Sequence, residues 1–164
     1  MSDGSGLCLR PWNLDRDREA LIRVLDDPEV AFRTPIPSPF GLEEADEYLR
    51  RDALNDRIHL AICDNDAIVG EIALNLATNA ISYTVARDQR GRGFATRAVN
   101  LLATRASALG VHEVWLEIEP DNEPSIAVAR RCGFVPTSAG DETVEDKGRT
   151  YVLQQWCRSL DGPT

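Results

Sequence analysis

A chain of 164 residues, 43% hydrophobic and 27% charged, is long enough to bury its own core, and its composition is that of one globular domain spanning residues 1–164. Its net charge of −9 argues against nucleic acid or an anionic membrane surface as a partner, since both call for a basic face. No basic-plus-apolar signal opens the chain, and no apolar run approaches the roughly 20 residues of a membrane span, so a cytoplasmic location is expected.

In chain order, residues 7–10 form a predicted strand stopped by Pro11. Residues 15–25 read as a helix, with Leu14, Leu21, Ile22 and Leu25 as its apolar stripe and Asp15 as an acidic start. Residues 26–40 hold four of the nine prolines and read as an irregular loop. Residues 42–54 are a second helix. The period then changes to strands at 58–63 and 67–76, flanking the turn residues Asp64, Asn65 and Asp66. A third strand follows, in which Ile81, Tyr83 and Val85 alternate with Ser82 and Thr84. Residues 94–109 are the strongest helix, stopped by Gly110. In 113–119, Val114, Leu116 and Ile118 face one way and Trp115, Glu117 and Glu119 the other. Residues 122–132 form a short helix ended by Gly133, and 134–137 and 149–156 are the last strands. The ends, 1–6 and 161–164, are expected to fray. The order is α/β: a mixed, mostly antiparallel sheet of six or seven strands with about four helices. The strand–helix–strand piece from 81 to 118 is expected as a right-handed parallel crossover.

Residues 87–97 read Arg-Asp-Gln-Arg-Gly-Arg-Gly-Phe-Ala-Thr-Arg. Four arginines less one aspartate give this segment +3 within an acidic chain. A glycine-rich turn leading from a strand into a helix aims successive backbone N–H groups at one centre, and the helix N-terminus adds partial positive charge. An anion site follows, and phosphate suits it. No Gly-Lys-Ser/Thr closes the loop as a mononucleotide-binding loop requires, and the third glycine of a dinucleotide fingerprint is displaced. Cys8, Cys63, Cys132 and Cys157 are scattered and have no ligand spacing, so no metal is expected and they read as buried thiols of a reducing compartment.

Arg90-Gly91-Arg92-Gly93-Phe94-Ala95 resembles the R/Q-x-x-G-x-G/A motif of GCN5-related N-acetyltransferases. Leu9-Arg10-Pro11-Trp12 is similar to that family's opening strand. Asp121-Asn122-Glu123-Pro124-Ser125 with Cys132-Gly133-Phe134 resembles its D-N-x-x-S…G-F segment. The likeness covers nearly the whole chain and is strongest to the bacterial branch that acetylates N-terminal alanines of ribosomal proteins. It implies a splayed parallel strand pair, acetyl-CoA as co-substrate, an amine acceptor (a protein N-terminus or a cationic small molecule) and direct attack in a ternary complex; homodimers are common in such families.

The resemblance also implies residue roles. The amides around Arg87, Arg90, Gly91, Arg92, Gly93, Phe94, Ala95 and Thr96 would bind the pyrophosphate, and the backbone of Val85 and Ala86 the pantetheine, a Val85-region amide polarising the carbonyl. Asn122 is a candidate for pantetheine contact and for a helix N-cap. Arg130, with Arg131, is a candidate for the adenosine 3′-phosphate. Ala129 stands where many members carry a tyrosine that protonates the leaving thiolate, and Ser125 is the hydroxyl expected in its place. Glu71, Glu117 and Glu119, acids within strands, are candidates for the base, with Glu71 preferred for its apolar neighbours. The acceptor site is expected between 26–40 and an acidic loop at 138–147 carrying Asp141, Glu142, Glu145 and Asp146. The alternative is a non-catalytic acyl-CoA-binding module on the same fold.

Overall fold

The computed structural model describes residues 1–52, 56–138 and 140–161. The elements run β1 (Leu7–Pro11), α1 (Arg18–Leu25), α2 (Pro28–Arg33), α3 (Leu42–Asp52), β2 (Arg57–Asp64), β3 (Ala67–Asn75), β4 (Ile81–Val85), α4 (Phe94–Ala108), β5 (Glu113–Ile118), α5 (Glu123–Arg131), β6 (Val135–Pro136), β7 (Glu142–Asp146) and β8 (Arg149–Ser159). No described helix is long and apolar enough to cross a membrane. The expected end of α3 at Leu54 and the expected fraying of 162–164 lie outside the described residues.

Strands β1-β2-β3-β4 form one antiparallel sheet; β5-β8-β6 form a second, with β7 also paired to β8. The two sheets meet where β4 begins. There Ala80 and Trp115 form a parallel bridge, and the Trp115 N–H donates to the Asn79 carbonyl at 3.0 Å. Beyond that bridge β4 and β5 diverge, as the resemblance implied. The larger core packs α4 and α5 on this composite sheet through Phe94, Leu102, Val114, Leu116 and Ile118. A second core, around Leu21, Leu25, Phe40 and Ala61, packs α1 and α3 on the opposite face of β2 and β3.

Four expectations change. The first helix starts at Arg18, because the Asn13 side chain accepts from the N–H groups of Asp15 and Arg16 and holds them in a turn. Residues 26–40 are not all loop: the Asp27 carboxylate accepts from the Glu29 N–H at 2.8 Å, and Pro28 opens α2. Residues 142–146 are strand β7. They pair with β8 across a two-residue turn in which Lys147 and Gly148 both have positive φ, the geometry that matches strand twist. The N-terminus is held, since Arg97 of α4 binds Asp3 at 2.7 Å and also Ser5.

Two close constraints hold the first sheet. The Arg10 guanidinium grips Asp17 at 2.6 and 3.0 Å, keeping that carboxyl below its ordinary pKa and tying α1 to β1. Gly70, opposite Val85, leaves no room for a side chain, because a Cβ there would lie 2.4 Å from the Thr84 carbonyl oxygen. Backbone in a sheet cannot step aside as a flexible side chain can. Gly70→Ala is therefore expected to destabilise the protein by about 1–3 kcal/mol, read from the urea midpoint. An unchanged midpoint would mean that the β3–β4 pairing has slack the structure does not show.

Candidate active site

The gap between β4 and β5 opens into a cavity of about 1140 Å³, at the upper end of small-molecule sites. It runs from the turn after β4 to the start of α5. Gly91 and Gly93, both at φ +77°, shape that turn, and nothing lies within 4 Å of where their Cβ atoms would stand. Backbone conformation, not crowding, requires glycine here, and the space in front of the loop is open. Gly93 caps α4 without any side-chain hydrogen bond, and the first turn carries no acid. The first N–H groups of α4 are thus left to an outside acceptor.

The ladder register shows which groups of β4 face the gap. Ala86 donates to the Val69 carbonyl at 2.8 Å. Antiparallel pairing alternates, so the N–H and C=O of Val85 and Tyr83 point away from β3 and toward β5. The Val85 carbonyl accepts from Arg90 Nε at 3.1 Å. Two N–H groups turned toward the gap on one wall and an anion cradle at one end fit a pyrophosphate carrying an amide-bearing arm.

Most of the expected contacts come together. Val85, Arg90, Gly91, Gly93, Phe94, Ala95, Thr96, Asn122 and Ser125 all line the cavity. Asn122 is also the N-cap of α5, accepting from the Ser125 N–H at 3.3 Å.

Several expectations are corrected. Ala86 is fully buried and its amide is committed to β3, so it offers the arm nothing. Arg87 and Arg92 are exposed and outside the lining; Arg92 lies over the Phe94 ring at 4.8 Å. Arg90 reaches the cavity, but its guanidinium holds Asp27 at 2.9 Å and Glu29 at 3.1 Å, fastening α2 to the loop. Arg131, not Arg130, lines the cavity; Arg130 turns one helical step away, over Trp156.

The bases separate as clearly. Glu71 is buried against α3, where His59 lies 2.7 Å from one oxygen and the Tyr48 hydroxyl donates to the other at 3.3 Å. It does not line the cavity, because its side chain leaves β3 on the face covered by α1 and α3. Glu119 is buried too, held by Arg149 at 2.7–2.9 Å and by Arg33 at 3.4 Å. Glu117 lines the main cavity and also a smaller neighbouring one of about 360 Å³, shared with Trp115, Gly140 and Gln155.

Two expected walls meet through a contact the sequence did not announce. Lys147 donates to the carbonyls of Ala31 at 2.7 Å and Thr34 at 2.9 Å, and to that of Ile36, closing the C-terminal end of α2 onto the β7–β8 turn. Arg149 adds a bond to the Phe32 carbonyl at 3.2 Å. Residues Glu29, Val30, Arg33 and Thr34 of this segment line the cavity. No residue of 138–147 lines the main cavity among those described.

The family model described as acetyltransferase (GNAT) domain matches residues 6–135. The uncharacterized N-acetyltransferase p20 of Bacillus licheniformis is 25% identical over 157 residues, covering 87% of this chain and 86% of its own length. The spermidine N-acetyltransferase of Vibrio cholerae, solved with CoA and spermine, superposes with a TM-score of 0.81 at 17% identity, over 96% of this chain and 97% of that one. The ribosomal-protein-S5-alanine acetyltransferase of Vibrio fischeri gives 0.79 at 18% identity, over 98% and 96%.

Removing Arg149 leaves the Glu119 carboxylate buried with Arg33 alone. Arg149→Met is expected to cost about 1.5–3 kcal/mol in thermal unfolding, the range for hydrogen bonds to charged groups, and to expose α2 to proteolysis. A variant with wild-type stability and protease resistance would show that this ion pair does not anchor the cavity wall.

Proposed function

We infer the activity from the family: the chain belongs to the acetyltransferase (GNAT) domain family, and it is an acetyl-CoA-dependent N-acetyltransferase. The observation that carries the assignment of the site is the glycine-led start of α4, without a side-chain cap, at the mouth of a gap lined by strand backbone turned away from β3.

On this reading the amides of residues 93–96 hold the pyrophosphate, and the α4 dipole stabilises its charge. Arg131 approaches from α5. The outward backbone of Val85 and Tyr83 pairs with the pantetheine amides, and an amide of this strand polarises the acetyl carbonyl as negative charge builds on its oxygen. Glu117 is the base. It stands where the two cavities adjoin, so an amine entering the smaller one meets a carboxylate before it meets the thioester. Ser125, in the first turn of α5, is the hydroxyl on the leaving-group side. No cysteine lines the main cavity among the described residues, which supports direct attack rather than an acetyl-enzyme.

The acceptor is a primary amine. Structural neighbours named for spermidine and for a ribosomal-protein alanine support an amine of this kind. The acids of β7, Glu142, Glu145 and Asp146, with Asp141 beside them, support a cationic one.

Acetyl-CoA at a hundredfold its Kd adds about 2.7 kcal/mol and raises the unfolding midpoint by several degrees. Gly93→Glu, which puts a carboxylate into the anion cradle, is expected to abolish that shift. A shift that survives would move the pyrophosphate site elsewhere. Glu117→Gln is expected to lower kcat by about 10²- to 10⁴-fold, the usual contribution of a general base, with the acetyl-CoA shift intact. If Glu71→Gln does this and Glu117→Gln does not, the base lies on the other face of the sheet.

A further inference from the structure

Helix α2 has six residues, too few for its own hydrogen bonds to hold it. Its start is fixed by the Asp27 cap and by Arg90. Its end is fixed from elsewhere in the chain. The last carbonyls of a helix have no partner within it, and here the one lysine of the chain reaches them. Lys147 donates to the carbonyls of Ala31 at 2.7 Å and Thr34 at 2.9 Å, and to that of Ile36 in the segment that follows. An ammonium has three N–H donors and no acceptor, so three carbonyls satisfy it. A cation at this end of a helix also suits the dipole. Lys147 stands in a two-residue turn whose flanking residues, Asp146 and Arg149, are paired, so the sheet holds its backbone in place.

The α2 segment brings Glu29, Val30, Arg33 and Thr34 into the wall of the main cavity. Arg33 lies 3.4 Å from Glu119, two residues beyond Glu117, so this wall stands on the Glu117 side of the gap. Lys147 does not line the cavity, and neither does any other described residue of 138–147. We propose that Lys147 is a positioning residue for the acceptor: it sets the affinity for the amine by holding α2 in the cavity wall, without touching the amine. The β7–β8 hairpin thus acts on the acceptor through α2. The proposal rests on the reading of the Glu117 side as the acceptor side. Charge and position predict opposite signs. Were the hairpin to act through its charge alone, loss of a cation beside the acids of β7 would leave the rim more negative and draw a cationic amine more strongly. Acting through position, loss of the same cation loosens the wall and weakens the amine.

The variants are Lys147→Met, which keeps the stem and loses the donors, and Lys147→Arg, which keeps a charged donor. The acceptor probe is spermine or an arginine-containing peptide that begins with alanine, whichever the wild-type protein acetylates, with thiol release as the signal. Trypsin cleavage after Arg33, identified by fragment mass, reports how often α2 opens. Lys147→Met is expected to raise the KM of the probe by about three- to tenfold, the loss expected for exposed charged hydrogen bonds, while the acetyl-CoA KM holds. Cleavage after Arg33 is expected to quicken by a similar factor. Lys147→Arg is expected to bring both back toward wild type. The unfolding midpoint and its acetyl-CoA shift are expected to hold in both variants, since Lys147 is exposed and its bonds go to backbone carbonyls of 31–36. A probe KM that stays or falls in Lys147→Met, or cleavage after Arg33 at the wild-type rate, overturns the proposal. A midpoint that acetyl-CoA shifts in none of the three proteins is a different result, and it removes the acetyl-CoA reading instead.

Discussion

The structure turns on a pairing that stops. β4 and β5 meet at Ala80 and Trp115 and then part, while β4 remains bound to β3 and β5 to β8. Strand backbone buried without a partner is unfavourable, because every N–H and C=O must be satisfied somewhere. At most edges water or another strand does this. Here the edges of Tyr83 and Val85 open on a cavity, and a ligand with its own amides completes what the sheet leaves unfinished. Gly70 belongs to the same device, since it lets β3 press against β4 and hold the open edge in place.

Charge is distributed to suit that gap. The loop after β4 is basic in an acidic chain, yet its best-placed arginine is spent internally: Arg90 links Asp27, Glu29 and the Val85 carbonyl. What remains for an anion is chiefly the backbone of the α4 N-terminus. Fixed dipoles need no side chain to be ordered when ligand arrives, so the entropy of recruiting a long arginine is avoided. The arginines instead stiffen the frame. Arg33 and Arg149 converge on Glu119, and Lys147 closes the end of α2, binding a short helix that would be marginal alone.

Much of this was legible in the sequence, and the failures have causes. The alternation in β5 and the stripe of α4 placed both elements correctly because each buries one face. The glycine turn and Asn122 were readable because backbone conformation restricts residue choice at those positions. Helix α2 was missed although Asp27-Pro28-Glu29 is a good start signal; the prolines at 35, 37 and 39 outweighed it. Strand β7 was missed because five polar or half-exposed residues show no apolar face, and only Lys147-Gly148 marks the hairpin. The expectation that Glu71 would face the site missed the cavity for a different reason. Burial of a carboxylate was visible in its apolar neighbours, but which face of β3 it occupied, and that His59 and Tyr48 waited there, depends on contacts distant in sequence. Which of Arg130 and Arg131 lines the cavity is a rotation of one residue, too fine for pattern reading to fix.

The pleat of the two strands gives the site its polarity. Side chains alternate across a strand, so Tyr83 turns with Leu116 and Ile118 toward α4 and α5. Glu117, one residue from each of the latter, turns the other way, toward Gln155 and the smaller cavity. The gap therefore has a carboxylate on one face of the sheet and the apolar α4–α5 core on the other. A period of two in β4 and β5, interrupted by one missing ladder, is enough to make the two faces of the gap chemically different.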